Sequence, residues 1–207
     1  MIANRWKGCD VVCIASGPSL SAEDCCAVAR WRASGRNRRV IVVNTSYLLA
    51  PRSDVLYACD RNWWAHQNGE VTAGRWPGFT GECWSLSKEA ADEFGVRLVP
   101  HQLGEGLSDD RIHAGGNGGY QAVQLAALFG ASKVILLGYD LQRSGGKSHW
   151  HGDHPKPLAD PQALSDWARR LDRLFIRLAE RGVELINASR ETALRRIPRR
   201  SISEALA

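Results

Sequence analysis

Short apolar runs alternate with amphipathic stretches along almost the whole chain, and this alternation predicts repeated strand–helix units around a mainly parallel sheet. Several runs are nearly continuous in Val, Ile and Leu, which is typical of strands covered on both faces. The predicted strands are residues 11–15, 40–43, 55–59, 83–86, 97–99, 134–137 and 184–186.

Helices are predicted between these strands, at residues 22–32, 88–93, 119–129 and 161–180. Ser21 is placed to cap the first helix, and Gly130 and Gly182 follow the last two where C-terminal caps belong. Pro161 fits the first turn of the longest helix. Large apolar side chains at helical spacing in that helix are interpreted as a core stripe; they are Leu164, Trp167, Leu171, Leu174, Phe175 and Leu178.

No repeat, low-complexity tract or linker divides the 207 residues, of which 44% are hydrophobic and 24% charged. A chain of this length and composition can bury a full hydrophobic core. We therefore predict one α/β domain covering residues 1–207, with a Rossmann-like, mainly parallel sheet and helices on both of its faces.

The chain is expected to be cytoplasmic and to lack a membrane span. Its first residues contain no apolar core of signal-peptide length, and no later stretch reaches the roughly 18 uncharged residues that a spanning helix requires. The six cysteines do not have metal-finger spacing, and we expect them to be reduced thiols.

The chain is basic, with a net charge of +5 and a pI near 9.0. Nucleic-acid binding is conceivable but not favoured, because the basic clusters lack the interleaved aromatic residues of a single-strand binding surface. A solvated basic surface or attraction of an anionic substrate fits the pattern better. Formation of a homo-oligomer is left open.

The first predicted strand ends in a tight turn, Ser16-Gly17-Pro18-Ser19, directly before a helix. In an open α/β sheet, ligands bind beyond the carboxyl ends of the strands, close to the N–H groups of the following helix. Gly17 allows close approach of the backbone, and the serine hydroxyls can bind phosphate. The turn is therefore a candidate phosphate site, although a plain strand-to-helix turn has the same composition.

A second glycine-rich turn contains Gly116, Asn117 and Gly118 and precedes the apolar helix at 119–129. This turn fits either a flexible loop with a capped helix or the opposite wall of a ligand crevice. Two such turns at one edge of a sheet favour the crevice and hence nucleotide binding.

Three more predicted strands end in polar residues. Asn44 and Asp60 follow two of them directly, where each can cap a helix, contact a ligand or do both. Gly138, Tyr139 and Asp140 follow a third strand, and a carboxylate at that position can meet a ribose hydroxyl, a cation or a substrate amine.

The loop SHWHGDH provides candidate acid–base residues, His149 and His154. A neutral imidazole can accept a proton from an acceptor hydroxyl or, once protonated, give one to a leaving phosphate. Histidine and carboxylate are also zinc ligands, but the spacing differs from HExxH and no neighbouring strand supplies a further ligand. The sequence-based prediction is therefore that the protein has no metal site.

Several segments together resemble a known group of proteins: IASGPSL, VVNTSYLLAPRSDVLYACD, GGNGGYQAVQLAALFGASKVILLGYDL, SHWHGDH and LAERGVELINASRETALRRIP. Their order resembles bacteriophage and prophage proteins related to the DUF115 group, which includes MptE-like 6-hydroxymethylpterin diphosphokinases and motility-associated glycosyltransferase-like proteins. The layout is also similar to the family 42 bacterial sialyltransferases, which have a Rossmann-like sheet and use CMP-sialic acid without a metal. The resemblance extends from Asp10 to about Pro198.

The resemblance implies roles for individual residues. The segment beginning at Gly17 resembles the nucleotide-binding turn of the sialyltransferases, and Asn44 matches the asparagine after their second strand. Their catalytic histidine lies in a loop of the form SHYIGH, whose first histidine matches His149. His154 matches the catalytic histidine if one residue is inserted. The pair of tyrosines before that histidine is missing here, which argues against sialic acid as the transferred sugar.

Three functions follow from these observations. The leading hypothesis is a nucleotide-dependent, glycosyltransferase-like enzyme that moves a group from a nucleotide or nucleotide-sugar donor to an unknown hydroxyl or amine acceptor and requires no cofactor. The second is MptE-like pyrophosphoryl transfer, with Mg²⁺ held by Asp60 and Asp140. The third is a non-catalytic phage protein that binds a nucleotide or a partner.

Overall fold

The computed structural model describes residues 2–67, 79–154, 158 and 161–207. The strands are β1 (Asp10–Ile14), β2 (Arg38–Val43), β3 (Val55–Tyr57), β4 (Glu82–Ser85), β5 (Arg97–Leu98), β6 (His101–Gln102), β7 (Ile112–His113), β8 (Lys133–Leu137) and β9 (Glu184–Asn187). The α-helices are α1 (Ala22–Ala33), α2 (Arg61–Gln67), α3 (Lys88–Phe94), α4 (Gly118–Leu128), α5 (Leu164–Glu180) and α6 (Ile202–Ala205). A 3₁₀ helix covers Asn44–Leu48.

The described residues form a seven-stranded sheet in the order β5-β4-β3-β2-β1-β8-β9, with every neighbouring pair parallel. All seven predicted strands lie in this sheet, and the prediction of an α/β, Rossmann-like fold is confirmed. The small β6–β7 pair was not predicted, because strands of two residues are too short to show a periodic pattern.

The direction of chain progression reverses beside β1. Strands β1 to β5 proceed toward one edge of the sheet, whereas β8 and β9 lie on the other side of β1. The carboxyl ends of β1 and β8 are adjacent, with Ile14 paired with Leu137. Ligands bind at such switch points in open α/β sheets, since the loops diverge there and leave a crevice.

Helices cover both faces of the sheet, as predicted. In β1, Val11 and Cys13 pack into the hydrophobic layer that contains the buried residues of α4 and α5. Val12 and Ile14 pack into the opposite layer, with residues of α1, α2 and α3. Successive side chains of a strand point to opposite faces, so a strand buried on both sides must be apolar at every position.

Local capping explains where most of the predicted helices begin and end. Ser21 caps α1 in a capping box with Asp24, and Gly130 and Gly182 follow α4 and α5 with left-handed backbone angles. Helix α5 begins at Leu164, so the prediction that it starts at Pro161 was wrong. The segment from Pro161 to residue 163 instead lines the cleft described below.

Two further sequence-based expectations concern residues that the structure describes. No helix in the described ranges is both long and apolar enough to cross a membrane. All six cysteines fall within those ranges and are free thiols.

Candidate functional site

A cleft of about 680 Å³ lies at the carboxyl edge of the sheet, where the loops after β1 and β8 diverge. Its volume is in the usual range for small-molecule sites. Most of the residues selected from the sequence line it: Ser16, Gly17, Asn44, Asp60, Gly116, Asn117, Gly118, Gly138, Tyr139, His149 and His154. Two glycine-rich turns that are about 100 positions apart in the sequence thus form parts of one cleft.

Three selected residues do not line the cleft: Pro18, Ser19 and Asp140. Asp140 is fully buried, and its carboxylate accepts hydrogen bonds from the Ser19 backbone N–H at 2.7 Å and the Ser19 hydroxyl at 2.9 Å. The expectation that Asp140 contacts a ribose or a metal ion is therefore corrected. Asp140 and Ser19 instead hold the first turn in its conformation.

Gly17 is the point where this turn passes closest to β8. Its N–H donates to the carbonyl of Gly138 at 2.8 Å. A Cβ atom at position 17 would lie 2.2 Å from Oδ1 of Asp140 and 2.5 Å from that same carbonyl. Only glycine fits here, because a carboxylate and a backbone carbonyl already occupy the space that a side chain needs.

Burial raises the pKa of Asp140 from 3.8 to about 6, although the hydrogen bonds from Ser19 act in the opposite direction. A carboxyl group whose pKa is higher in the folded protein contributes stability that is complete below its unfolded pKa. This contribution is lost as the pH rises through the folded value. For Asp140 the window lies between 3.8 and about 6.

We expect the wild-type protein to lose stability relative to Asp140→Asn as the pH rises. The difference in unfolding free energy should change by about 2 kcal/mol between about pH 4 and about pH 7, because asparagine does not titrate. Denaturant unfolding of both proteins across this range measures the change. Parallel pH profiles would show that the carboxyl has its ordinary pKa in the folded state.

Asn44 follows β2 and lines the cleft. It is the first residue of the 3₁₀ helix, in a left-handed conformation with φ 52°, and that helix is N-capped by Val43. Its Oδ1 atom is buried and has no hydrogen-bond partner among the described residues. The amide oxygen therefore does not cap the helix and is available to a ligand.

The first residues of helix α4 also line the cleft. Asn117 caps it, with Oδ1 accepting from the N–H of Tyr120 at 2.9 Å, while Nδ2 is buried without a partner in the described chain. Gly118 and Gly119 follow and line the cleft. The first N–H groups of a helix have no intrahelical acceptor and carry the positive end of its dipole, so this part of the lining suits an anion.

The histidine loop is fastened to the loops after β1 and β2 by Trp150. Its backbone N–H donates to the carbonyl of Ser16 at 3.1 Å, and its indole N–H donates to the Ser46 hydroxyl at 3.1 Å. Ser46 is buried and also contacts the Ser16 hydroxyl at 3.0 Å. These bonds position His149, on one side of Trp150, at the cleft wall.

Asp60 is the one carboxylate among the described residues that line the cleft, and its Oδ2 atom accepts from the thiol of Cys59 at 3.1 Å. The magnesium hypothesis needed Asp140 as the second ligand, but both oxygens of that group are bound to Ser19. Because Asp140 does not reach the cleft, the expected Asp60–Asp140 pair is not formed.

Some cleft residues were missed by sequence reasoning. Trp167 and Leu164, assigned to the core stripe of α5, line the cleft at the start of that helix, whereas Leu171 and Leu174 are fully buried. Helical spacing identifies the apolar face but not which part of it extends beyond the sheet. Ser148 also lines the cleft, and its buried hydroxyl has no partner in the described chain.

The fold is similar to that of a known enzyme. The chain aligns with the MAf glycosyltransferase from Magnetospirillum magneticum AMB-1 with a TM-score of 0.66 and 12% sequence identity, over 97% of this chain and 35% of that one. It thus spans roughly a third of the length of that enzyme. No protein-family model and no curated protein matches the sequence. At this identity, the similarity shows a glycosyltransferase-like α/β fold.

Proposed function

We propose that this protein is a nucleotide-dependent, glycosyltransferase-like enzyme whose donor binds in the cleft at the carboxyl ends of β1 and β8. The observation that carries the proposal is the convergence of the α4 N-terminus with three buried polar atoms that have no hydrogen-bond partner among the described residues: Asn44 Oδ1, Asn117 Nδ2 and Ser148 Oγ. A buried polar atom without a partner is costly, and a polar ligand that bonds to it removes that cost.

The donor phosphate is assigned to the glycine-rich wall. Gly118 and Gly119 leave the backbone N–H groups at the start of α4 accessible, and the amide of Asn117 adds a donor beside them. The Ser16–Gly17 turn forms another part of the lining. Asn44 and Asp60 accept hydrogen bonds and are assigned to ribose or base, because their oxygens do not favour contact with phosphate.

The acid–base step is assigned to His154 together with His149. One imidazole takes the proton of an acceptor hydroxyl, the hydroxyl oxygen bonds to the anomeric carbon, and the bond from that carbon to the donor phosphate breaks. The nucleotide leaves with the electron pair. Both rings line the cleft, so both are within reach of a bound acceptor.

The proposal is tested by nucleotide binding. Melting temperatures are measured with CMP, CDP, UDP, GDP, ADP and ATP, each with Mg²⁺ or with EDTA. A nucleotide present at about 100 times its dissociation constant adds roughly 2.7 kcal/mol of stability. We expect at least one nucleotide to raise the melting temperature in EDTA. No shift with any of them would contradict a nucleotide site and support a non-catalytic partner-binding role.

Asn117→Asp provides the matched variant. Aspartate preserves the cap on α4, so without ligand the unfolding free energy of the variant should lie within about 0.5 kcal/mol of the wild-type value. The amide donor is replaced by a negative oxygen, so the nucleotide-induced shift should disappear. Asn37→Asp adds the same charge at an exposed position before β2 and should leave the shift unchanged.

The origin and setting of the protein belong to the same proposal. The sequence motifs support membership of the DUF115 group and a phage or prophage source, with the enzyme acting in the bacterial cytoplasm. The net charge of +5 supports attraction of an anionic donor.

A further inference from the structure

The geometry points to a transition-metal site formed by His149, His151 and His154 in the loop after β8. The ring centroids of these residues are 4.5 to 5.0 Å apart, and one nitrogen from each ring lies within 4.8 Å of the other two. No other group of three histidine, cysteine, aspartate or glutamate residues converges in this way in the described chain. This placement revises the expectation, based on sequence spacing, that the loop has no metal site.

The local backbone brings the three rings together. Gly152 adopts a left-handed conformation with φ 90°, and its N–H donates to the carbonyl of His149 at 3.1 Å. This turn runs from His149 to Gly152 and includes His151, and His154 follows it by two residues. Sequence spacing alone does not reveal the cluster, because the turn depends on a single glycine rather than on the regular geometry of a helix or strand.

The rest of the structure holds the loop in place before any ion binds. Trp150, between two of the histidines, is hydrogen-bonded through its backbone to Ser16 and through its indole to Ser46. A ligand set held in advance costs less conformational entropy on binding. The Nε2 atoms of His149 and His151 are also shielded from solvent.

Three imidazoles favour a borderline divalent ion, and Zn²⁺ is the natural probe. Zn–N bonds of about 2.0–2.1 Å at tetrahedral angles separate the ligand nitrogens by about 3.4 Å. The ligand nitrogens lie within 4.8 Å of one another, so small side-chain rotations are enough to bring them to this spacing. Three protein ligands also leave a fourth position open, as in catalytic zinc sites.

The ion has a consequence for catalysis, and this consequence rests on the proposed function. A nitrogen that binds a metal cannot also accept a proton, so in the metal-bound protein these histidines are ligands rather than bases. The ion would lower the pKa of an acceptor hydroxyl at its open position, and the proton would pass to a phosphate oxygen of the leaving nucleotide. His149 and His154 line the cleft, so the ion is adjacent to the proposed donor site.

Metal binding is tested on the full chain without a polyhistidine tag, stripped with chelator and titrated with Zn²⁺ by calorimetry. We expect one equivalent to bind. Alanine at His149, His151 or His154 should each weaken binding by about 100-fold, because each removes one ligand. His101→Ala, at an exposed position in β6, should leave it unchanged.

Either of two titration results would overturn the site: no stoichiometric binding by the wild-type protein, or equal binding by the three variants and His101→Ala. Melting temperatures without zinc check that the variants fold. A second test needs no variant: the visible spectrum of the wild-type protein is recorded after loading with Co²⁺. Strong absorption indicates four-coordinate Co²⁺ and supports the site, whereas the weak spectrum of six-coordinate Co²⁺ contradicts it.

The metal inference and the proposed function fail separately. Transfer that persists in metal-free protein would exclude the ion from the reaction and leave the transferase proposal in place. Zinc binding without any nucleotide-induced change in melting temperature would support the metal site and contradict the transferase proposal. His151 does not line the cleft, so loss of transfer in His151→Ala indicates a ligand role, and retention indicates that the other two rings act directly as bases.

Discussion

Replacing Gly17 with alanine should lower the melting temperature by roughly 6 to 12 °C and abolish nucleotide binding. The added Cβ atom would lie 2.2 Å from Oδ1 of Asp140 and 2.5 Å from the carbonyl of Gly138. Neither group is the end of a flexible side chain, since Ser19 holds the carboxylate and the carbonyl is part of the backbone beyond β8. Overpacking of this kind costs about 3 kcal/mol, which corresponds to that temperature change in a chain of this size.

Gly118→Ala is the matched control, because it makes the same change in the same cleft. A Cβ atom at position 118 has one close contact, at 3.1 Å, with a methyl group of Val43 that can shift. We expect a loss of less than about 1 kcal/mol. Differential scanning calorimetry measures the melting temperatures of both variants. Equal melting temperatures would mean that the turn can open away from β8 without cost.

Alanine at His154 should reduce transfer by about 100-fold or more while the nucleotide-induced shift in melting temperature stays unchanged. Removal of a general acid–base residue typically costs 10²- to 10⁴-fold, and the groups assigned to the donor phosphate and to ribose or base lie on other loops. The assay follows release of free nucleotide from the nucleotide-sugar whose nucleotide gives the largest thermal shift. Wild-type turnover in this variant would exclude His154 from the reaction.

His149→Ala and His101→Ala complete this experiment. His149 lines the cleft beside His154 and should also lower transfer, whereas His101 lies in β6 outside the cleft and should have no effect. Comparable losses at both cleft histidines would indicate that they act together. Loss at His149 alone would identify it as the base.

The amino-acid sequence by itself determined the strands, the layering and the edge of the sheet at which to look for the site. Strands buried on both faces must be apolar at every position, as in β1 and β8, and this leaves a clear signal in the sequence. The Ser21 cap and the glycines that follow α4 and α5 are equally local. Parallel strand order then brings Asn44 and Asp60, which follow β2 and β3, to the carboxyl edge.

Only the tertiary structure decided which residues at that edge face the cleft. Asp140 and Asn44 both follow apolar strands, but Asp140 is bound to Ser19, 121 positions away. Asn44 Oδ1 is instead buried in the cleft wall, with no partner in the part of the chain that the structure describes. The His149–His154 cluster likewise depends on the turn at Gly152 and on the contacts of Trp150 with distant loops. Such contacts join segments far apart in the chain, and a local pattern of apolar and polar positions carries no record of them.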